Sequence, residues 1–507
     1  MRRAAWPVLA ALVLAAGCSG DGGSIQEAGN TTTTAAVPDT SAPDDTGDPG
    51  ATDAPDTTVA PATTTTTPLA DLPECPVGAL ESVTAPVEIT FWHGMTSNLE
   101  QALTALTDEY NASQDKVRVT LQNQGSYEAN LDKYLQSGQG SRPEMIQAPE
   151  YSLKVLRDTE SFIPVQACME AEGFDTSVML PTALRAYSTE GVQWSMPFNV
   201  SNPVLYYNRA AFATAGLDPD SPPQSLEELR SASQALVDSG AVTYGLAVDT
   251  NFDSGGGWFI EQWFAKAGEF YADNENGRAA PATKVLFDNP TGVELYTFVQ
   301  ELVQDGLAYN VGENASGQDA FLKIADEAEP AGMTIGTSAA LGTVLAAVEG
   351  GLAPGIGVED IGIGQMPGPG GSPAVLVGGA SLWIVADKGD AQAAAVWDFV
   401  KFLVQAESQS QWAADTGYVP VNSDAPEAEP LATTYADDPR FRVAYDSLVN
   451  TPDEPTSVGP LLGPQREIRV LTSNALAAVL QGADVAAELT NAATQANSLI
   501  AQYAARG

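Results

Sequence analysis

The chain has 507 residues, 44% of them hydrophobic, and a formal net charge of −43 from 65 acidic and 22 basic residues. This excess of acid argues against nucleic acid or an anionic membrane surface as a partner, so we predict no nucleic-acid binding. A chain of this length usually divides into more than one folded unit.

The N-terminus has the three parts of a secretion signal. Arg2 and Arg3 precede an apolar stretch over residues 4–16, which is too short to span a bilayer, and small residues then lead to Cys18. Because a cysteine follows directly, residues 1–18 resemble a bacterial lipoprotein signal peptide with its lipobox. We expect Cys18 to be lipidated, which would leave the exported protein anchored to the outer face of the cell membrane. An ordinary signal peptide with an incidental cysteine is the alternative.

The segment that follows, residues 19–73, is rich in Thr, Pro, Asp and Ala and contains no aromatic residue and no Lys or Arg. Such a composition buries too little apolar area to offset the chain entropy lost on ordering, so it predicts a disordered tether. Its threonine runs, 31–34 and 63–67, are either a plain solvated linker or sites for O-glycans.

Two cysteines, Cys75 and Cys168, remain in residues 74–507. In an exported protein an even pair is a candidate disulfide, which here would close a long loop, and two separate thiols are the alternative. His93 is the single histidine, and the sequence has no CxxC or HExxH motif. We therefore predict no metal site, no histidine-dependent catalytic triad and no cofactor.

Residues 87–121 predict a strand, a helix and a second strand in succession. Apolar residues alternate with polar ones in 87–91 and again in 117–121, as they do in half-buried strands. Between these segments, apolar residues recur at helical spacing behind a start at Ser97. This pattern is typical of a βαβ unit.

Two further helices are indicated later in the chain. Residues 225–228 have the spacing of a capping box, and residues 391–405 place apolar side chains on one helical face. Strands and helices that alternate in this way predict α/β layers with mostly parallel sheets. We find no internal repeat.

Short aromatic and glycine motifs are spread over the last four hundred residues: Phe91-Trp92-His93, Gly125-Ser126-Tyr127-Glu128, Pro197-Phe198-Asn199-Val200-Ser201, Gly378-Gly379-Ala380-Ser381-Leu382-Trp383 and Thr416-Gly417-Tyr418-Val419-Pro420. In this order and at these separations they resemble family 1 of the extracellular solute-binding proteins of ABC transporters. Within that family they are most similar to the lipoproteins that bind glycerol 3-phosphate and glycerophosphodiesters. The resemblance spans nearly all of residues 86–500.

The resemblance implies a two-lobed periplasmic-binding-protein-like fold of type II, with discontinuous α/β lobes and a ligand cleft between them. Lobe 1 would take approximately 84–198 and 331–385, and lobe 2 approximately 199–330 and 386–507. It also implies a monomer that is not an enzyme and that delivers a small polar solute to the transmembrane subunits of an ABC permease.

The ligand-binding residues that the resemblance implies are Tyr127, Glu150, Ser201, Leu226, Trp258, Thr337, Gly379, Tyr418 and Arg469. Several also have a plain structural interpretation. Tyr127 either contacts a polyol or is half-buried at a helix start, and Glu150 either accepts hydrogen bonds from vicinal hydroxyls or is a surface acid. Ser201 is a possible hydroxyl donor where the chain crosses between lobes.

Phosphate is expected to bind at two places. Residues 336–338 form a glycine-containing helix start, which is suited to an anion but is equally suited to a simple N-cap. Arg469 is the expected phosphate-holding arginine, with Arg466 as the nearby alternative, because a planar guanidinium binds phosphate with two prongs. Gly379 would let the backbone approach the ligand, and Tyr418 would form an aromatic wall.

The expected ligand is a glycerophosphodiester, glycerophosphocholine first, or glycerol 3-phosphate. Related glycerol 3-phosphate binders carry Trp where this chain has Leu226, which predicts a larger pocket, and Trp258 or Trp263 would face a choline group. A sugar or oligosaccharide is the alternative within the same transporter class. Two other classes remain open: an extracellular hydrolase that uses Glu150 in a carboxylate pair, and a surface adhesin.

Overall fold

The computed structural model describes residues 73–314 and 317–506. The expected signal peptide, the lipidation site Cys18 and all but the last residue of the expected tether lie outside this part of the chain. Within it, no helix combines the length and the apolar character that crossing a bilayer requires.

Thirteen strands and eighteen α-helices are described, and both are numbered in chain order. The strands β1 to β13 are Val87–His93, Val117–Asn123, Met145–Pro149, Phe162–Ile163, Ser188–Thr189, Val192–Gln193, Met196–Ser201, Pro203–Asn208, Tyr244–Val248, Ala308–Asn310, Ala331–Thr337, Ile361–Gln365 and Gly378–Val385. The helices α1 to α18 are Ser97–Ser113, Tyr127–Gln136, Leu153–Arg157, Val165–Glu172, Pro181–Ala186, Arg209–Thr214, Leu226–Asp238, Trp258–Lys266, Asp273–Gly277, Pro290–Gln304, Asp319–Ile324, Leu341–Glu349, Asp390–Val404, Ala406–Thr416, Leu431–Asp437, Val443–Val449, Gln465–Leu480 and Val485–Ala504.

A six-stranded sheet forms the first lobe, with the order β2-β1-β3-β13-β4 and with β7 paired to β13. The βαβ prediction is confirmed, because β1 and β2 are parallel, with Val87 opposite Val117, and α1 lies between them in the chain. Strand β13 runs antiparallel to β3, β4 and β7. The expectation of mostly parallel sheets is therefore wrong, because β13 enters the sheet from the other lobe and runs against its neighbours.

A five-stranded sheet forms the second lobe, with the order β10-β9-β11-β8-β12. The chain crosses from the first sheet to the second at Asn202, between the end of β7 and the start of β8. It returns between the end of β12 and the start of β13. Two sheets joined by crossing segments form the two-lobed α/β architecture that was expected, with the first crossing next to Ser201.

The expected lobe boundaries differ from this pairing and need correction. Residues 331–385 were expected in lobe 1, but Ala331–Thr337 and Ile361–Gln365 both pair with β8 in the second sheet. Helix α13 was expected in lobe 2, but it buries Phe399 against Phe91 of the first sheet, with ring centroids 6.3 Å apart. Both segments carry apolar patterns that fit either lobe, so only the long-range pairing decides where they belong.

The second lobe has its own hydrophobic core, in which helices α8, α10, α17 and α18 pack together. Helix α8 is buried along its whole length, including Glu261. A charged residue in such a helix needs a partner of opposite charge, and α17 supplies one. Because α17 also reaches toward the first lobe, this core positions the base of the site described below.

Near the start of the described chain, Cys75 is joined to Cys168 of α4, with the two Cα atoms 4.9 Å apart. The two residues are 93 positions apart in sequence. Both belong to the core of the first lobe. The bond therefore attaches the beginning of the folded region to that lobe.

Candidate functional site

A cavity of about 380 Å³ is lined by residues from both lobes. Its polar and aromatic lining includes seven of the nine predicted ligand-binding residues, together with two that were not predicted: Tyr127, Glu150, Ser201, Trp258, Thr337, Gly379, Tyr418, Tyr206 and Asp253. Arg469 and Leu226 are not part of the lining. The structure thus brings together residues separated by almost three hundred positions in sequence.

A chain of hydrogen bonds fixes the two tyrosines of the first lobe. The hydroxyls of Tyr127 and Tyr418 lie 3.0 Å apart, and Asn199 Nδ2 donates to Tyr127 Oη at 2.6 Å. Gln147 Nε2 in turn donates to Asn199 Oδ1 at 2.8 Å. Burial raises the pKa of Tyr127 well above its ordinary value, so the phenol stays protonated. The pair is a preorganised donor and acceptor for a ligand hydroxyl.

Gly379 is required by the backbone geometry of β13. Its φ is +84°, and a Cβ atom placed there would lie 2.0 Å from the carbonyl oxygen of Asn199. Since no L-residue with a side chain fits this approach, the strand stays close to β7 and presents bare backbone to the cavity. Ser201 ends β7 on the same side of the crossing and is buried.

Thr337 ends β11 and lines the cavity, but it does not begin an anion-binding helix. Its Oγ1 accepts from Ala339 N at 3.3 Å and caps a three-residue 3-10 turn. The N–H of Ser338 donates to Asn202 O at 2.9 Å. The N–H groups of Ser338 and Ala339 thus already have protein acceptors, which favours the interpretation as an N-cap over a phosphate seat at residues 336–338.

Arg469, on α17, lies beneath the cavity with 2% of its side chain exposed. It donates to Glu261 through both Nε and Nη2, each at 2.8 Å, and its Nη2 also donates to Glu150 Oε1 at 2.8 Å. Its longest contact is the 3.3 Å from Nη1 to Asp253 Oδ1. The guanidinium is thus held rigidly by α8, and two carboxylates separate it from the cavity.

Arg466, the alternative phosphate ligand, pairs with Asp132 at 2.8 Å, and both side chains are partly exposed. It is not part of the cavity lining. Of the two arginines, only Arg469 contacts residues that line the cavity.

Acidic side chains dominate the electrostatics of the polar end of the cavity, the part next to Glu150 and Asp253. Burial raises the pKa of Glu150, although Arg469 opposes the shift. Burial, followed by the charge of Glu150, raises the pKa of Asp253 to about 8. Within residues 73–314 and 317–506, the lining contains Glu150 and Asp253 but no Lys or Arg. Protonation of Asp253 would relieve the repulsion between the two carboxyls.

Trp258 begins α8 and lines the cavity, and 6% of the residue is exposed. Its indole Nε1 is buried and has no hydrogen-bond partner among the residues that the structure describes. Trp263, the other candidate, donates from Nε1 to Pro367 O at 2.9 Å and is not part of this lining. Of the two indoles, Trp258 is the one with an N–H left for a ligand.

Leu226 lies away from the cavity. It is the first residue of α7, after Ser225 and within the capping box that Ser225 and Glu228 form as predicted. Its side chain packs against the core of the second lobe. The expectation that Leu226 replaces a pocket-lining Trp is wrong here, because helix capping fixes this residue against the core.

The sequence analysis did not predict four residues of the site: Tyr206, Asp253, Glu261 and Phe321. Asp253 precedes the glycine run 255–257, and Glu261 interrupts a helix that is otherwise largely apolar. The local sequence could therefore have indicated both residues as candidates. Phe321 packs edge-on against Tyr206 with ring centroids 4.8 Å apart, and nothing in the local sequence indicated this role. Across the described ranges, no group of three or more His, Cys, Asp or Glu side chains is placed to hold a metal ion.

Residues 105–443 match the family described as bacterial extracellular solute-binding protein. The chain is 28% identical over 431 residues to the sn-glycerol-3-phosphate-binding periplasmic protein UgpB of Pectobacterium atrosepticum, covering 83% of this chain and 92% of that protein. It is 27% identical over 439 residues to the UgpB protein of Shigella flexneri, covering 84% and 95%.

Solved structures share the fold. UgpB of Mycobacterium tuberculosis in complex with glycerophosphocholine has a TM-score of 0.67 at 22% identity, covering 83% of this chain and 99% of that one. The cyclic alpha-maltosyl-1,6-maltose binding protein of Arthrobacter globiformis has a TM-score of 0.64 at 22% identity, covering 82% and 99%. These similarities confirm the expected type II architecture of a solute-binding protein.

Proposed function

Because the chain belongs to the bacterial extracellular solute-binding proteins and is the solute-binding component of an ABC importer, we propose that its solute is a glycerophosphodiester, glycerophosphocholine first, with glycerol 3-phosphate second. The proposal includes delivery to the transmembrane subunits of a permease, lipid anchoring through Cys18 and action as a monomer without catalysis. The named relatives that bind glycerol 3-phosphate or glycerophosphocholine support this ligand class.

One observation carries the phosphate part. The guanidinium of Arg469 is fixed by two hydrogen bonds to Glu261, and its Nη1 is held only by the 3.3 Å contact to Asp253. The Asp253 side chain is 45% exposed and lines the cavity. A phosphate oxygen that displaces this carboxylate would gain a charge-assisted hydrogen bond from a preorganised donor. We therefore expect phosphate to enter at Asp253.

A choline group fits the part of the polar end that lies beside the expected phosphate position. Trp258, Tyr127 and Tyr418 supply aromatic surface, and Glu150 supplies negative charge in the same cavity. A quaternary ammonium group gains about 0.5 to 2 kcal/mol from an aromatic face, more when water is excluded. The acidity that opposes a simple phosphate monoester is therefore balanced when the ligand carries its own cation.

Calorimetric titration with glycerophosphocholine, glycerol 3-phosphate and maltose tests the proposal. We expect glycerophosphocholine to bind most tightly. Trp258→Phe keeps an aromatic ring but removes the unpaired N–H, and we expect it to weaken glycerophosphocholine about threefold to tenfold. Trp263→Phe is the matched control, since its N–H is bonded within the protein. Tight binding of maltose together with failure of both phosphate compounds would overturn the proposal.

A sugar or oligosaccharide is the second candidate, and one observation favours it. Among the described residues, the polar part of the cavity is lined by carboxyl, hydroxyl and aromatic side chains and by no Lys or Arg. Carboxylates accept hydrogen bonds from vicinal hydroxyls without needing a ligand charge. The same titration separates the two candidates.

A further inference from the structure

The cavity has an apolar half that a small polar solute leaves unused. Beyond Tyr206 and Thr337, its lining comes from α11, α12 and the chain that follows α12, and it includes Leu322, Val344, Ala347, Val348, Leu352 and Ile356. None of the described residues that line this half is charged. A hollow of this kind offers a ligand apolar contact and no charged partner.

Helix α12 is covered only in part by the protein itself, because its larger apolar side chains are half-buried against the neighbouring core. Its sequence, Leu341–Glu349, is apolar on nearly every side, yet Leu341 is its only buried residue. Leu322 and Leu352, which line the same hollow, are 52% and 62% exposed. Leaving large apolar side chains open to water forgoes stabilisation, and contiguous patches of this kind usually mark a binding surface.

The apolar half is continuous with the polar end. Tyr206 donates to Thr337 O at 2.7 Å, and its ring packs edge-on against Phe321 with centroids 4.8 Å apart. Phe321 leads directly into the apolar lining at Leu322. A single molecule with a polar head at Glu150 and an apolar chain along α12 would therefore fill one cavity.

We infer that the solute is an amphiphile: a glycerophosphodiester that still carries one short acyl or alkyl chain, as a lysophospholipid does. The head-group part rests on the proposed function, whereas the chain-binding part rests only on the apolar lining. The chain lies against α12 and the segment from Leu352 to Ile356. This ligand class differs from glycerophosphocholine, which has no apolar chain to place there.

The test compares glycerophosphocholine with octanoyl lysophosphatidylcholine, kept below its micellar concentration, by calorimetric titration of the whole protein. Each pair of buried methylene groups is worth roughly tenfold in affinity, so we expect the octanoyl compound to bind at least tenfold more tightly. Ala347→Phe fills the apolar half and should abolish that advantage, so that this variant binds the octanoyl compound no more tightly than it binds glycerophosphocholine. Ala346→Phe is the matched control, because Ala346 is exposed on the same helix and does not line the cavity.

Octyl maltoside and maltose separate this inference from the proposed function. If neither phosphocholine compound binds but octyl maltoside binds more tightly than maltose in an Ala347-dependent way, the chain-binding inference stands and the phosphate proposal fails. If glycerophosphocholine binds and the octyl chains add nothing, the inference is overturned and the phosphate proposal stands. If Ala347→Phe weakens the binding of glycerophosphocholine and of its octanoyl form equally, the inference is also overturned. The apolar half would then contribute to closure of the lobes and not to binding of the chain.

Discussion

Arg469 Nη2 lies 2.8 Å from Glu150 Oε1, and this contact joins the second lobe to the first at the base of the cavity. Glu150 follows β3 of the first sheet directly, whereas Arg469 lies on α17 in the core of the second lobe. A ligand that binds either residue therefore acts on both lobes at once. We therefore expect binding of the polar head to be coupled to closure of the lobes through this ion pair.

Arg469→Ala should affect both binding and stability. Losing the charged donor is expected to weaken glycerophosphocholine roughly tenfold to a hundredfold. It also leaves Glu261 buried without its partner, which costs about 3 to 5 kcal/mol of unfolding free energy. Titration and denaturant unfolding measure the two effects. Adding Glu261→Gln to Arg469→Ala should recover part of the stability but none of the affinity.

Arg466→Ala is the control for that experiment, because its partner Asp132 is partly exposed and neither lines the cavity. We expect this variant to lose less than about 1 kcal/mol of unfolding free energy and to keep its affinity for glycerophosphocholine. If Arg466→Ala weakens the ligand while Arg469→Ala does not, the assignment of the phosphate-facing arginine is reversed.

Binding of a phosphodiester should depend on pH through Asp253. Desolvation at the base of the cavity, followed by the charge of Glu150, raises the pKa of Asp253 to about 8, so this carboxyl gains negative charge as the pH rises from 6.5 to 9. Its negative charge would then repel phosphate. We expect the Kd for glycerophosphocholine to rise about twofold to fivefold between pH 6.5 and 9, a modest effect because the side chain is 45% exposed.

Asp253→Asn removes this titration, and its affinity should be flat over the same range and slightly higher at pH 9. Stability provides a second measurement. A carboxyl whose pKa is raised on folding stabilises the folded state most below its unfolded value, and that contribution is lost as pH rises toward 8. The melting temperature of Asp253→Asn relative to wild type should therefore increase from pH 4 to 8. A difference that is constant with pH would contradict the assignment.

The bond between Cys75 and Cys168 should stabilise the first lobe. Replacing both cysteines with serine opens a loop of 93 positions and should cost about 3 to 5 kcal/mol of unfolding free energy, measured with denaturant. Reducing agent should lower wild-type stability to that of the double variant and leave the variant unchanged. Mass spectrometry that finds two free thiols in the native exported protein would contradict the bond.

Leu226→Trp should leave ligand affinity within about twofold for both glycerophosphocholine and glycerol 3-phosphate, because the side chain packs on the core of the second lobe and does not line the cavity. Trp258→Leu is the matched variant at a position that does line it, and it should weaken glycerophosphocholine. A selective loss of the diester in Leu226→Trp would restore the pocket interpretation that the resemblance implied.

Local patterns in the sequence predicted what depends on neighbouring residues. The alternation in residues 87–91, the helical spacing behind Ser97 and the capping box at Ser225 all correspond to observed elements. The motifs also placed Tyr127 and Tyr418 in one site, although 291 positions separate them. The predictions from period and capping succeeded because both are properties of a few adjacent side chains, whereas the placement of Tyr127 with Tyr418 came from the resemblance to a known family.

Predictions that depend on long-range pairing were less successful. The strand Ala331–Thr337 is apolar enough for either sheet, and only its pairing with β8 assigns it to the second lobe. Arg469 was expected to face phosphate directly, but Glu261, 208 positions away, holds it from behind. Charge balance inside a core depends on which charged side chains come into contact, and the spacing of residues along the chain does not predict these contacts.

Gly379 limits how the ligand preference of this protein can change. Every side chain at that position would collide with the carbonyl oxygen of Asn199, so substitution there disturbs β13 before it alters any contact with a solute. A change of selectivity is therefore expected at lining positions that carry side chains, such as Asp253, Trp258 and the α12 face. A library built to change the solute should vary those positions and keep Gly379 fixed.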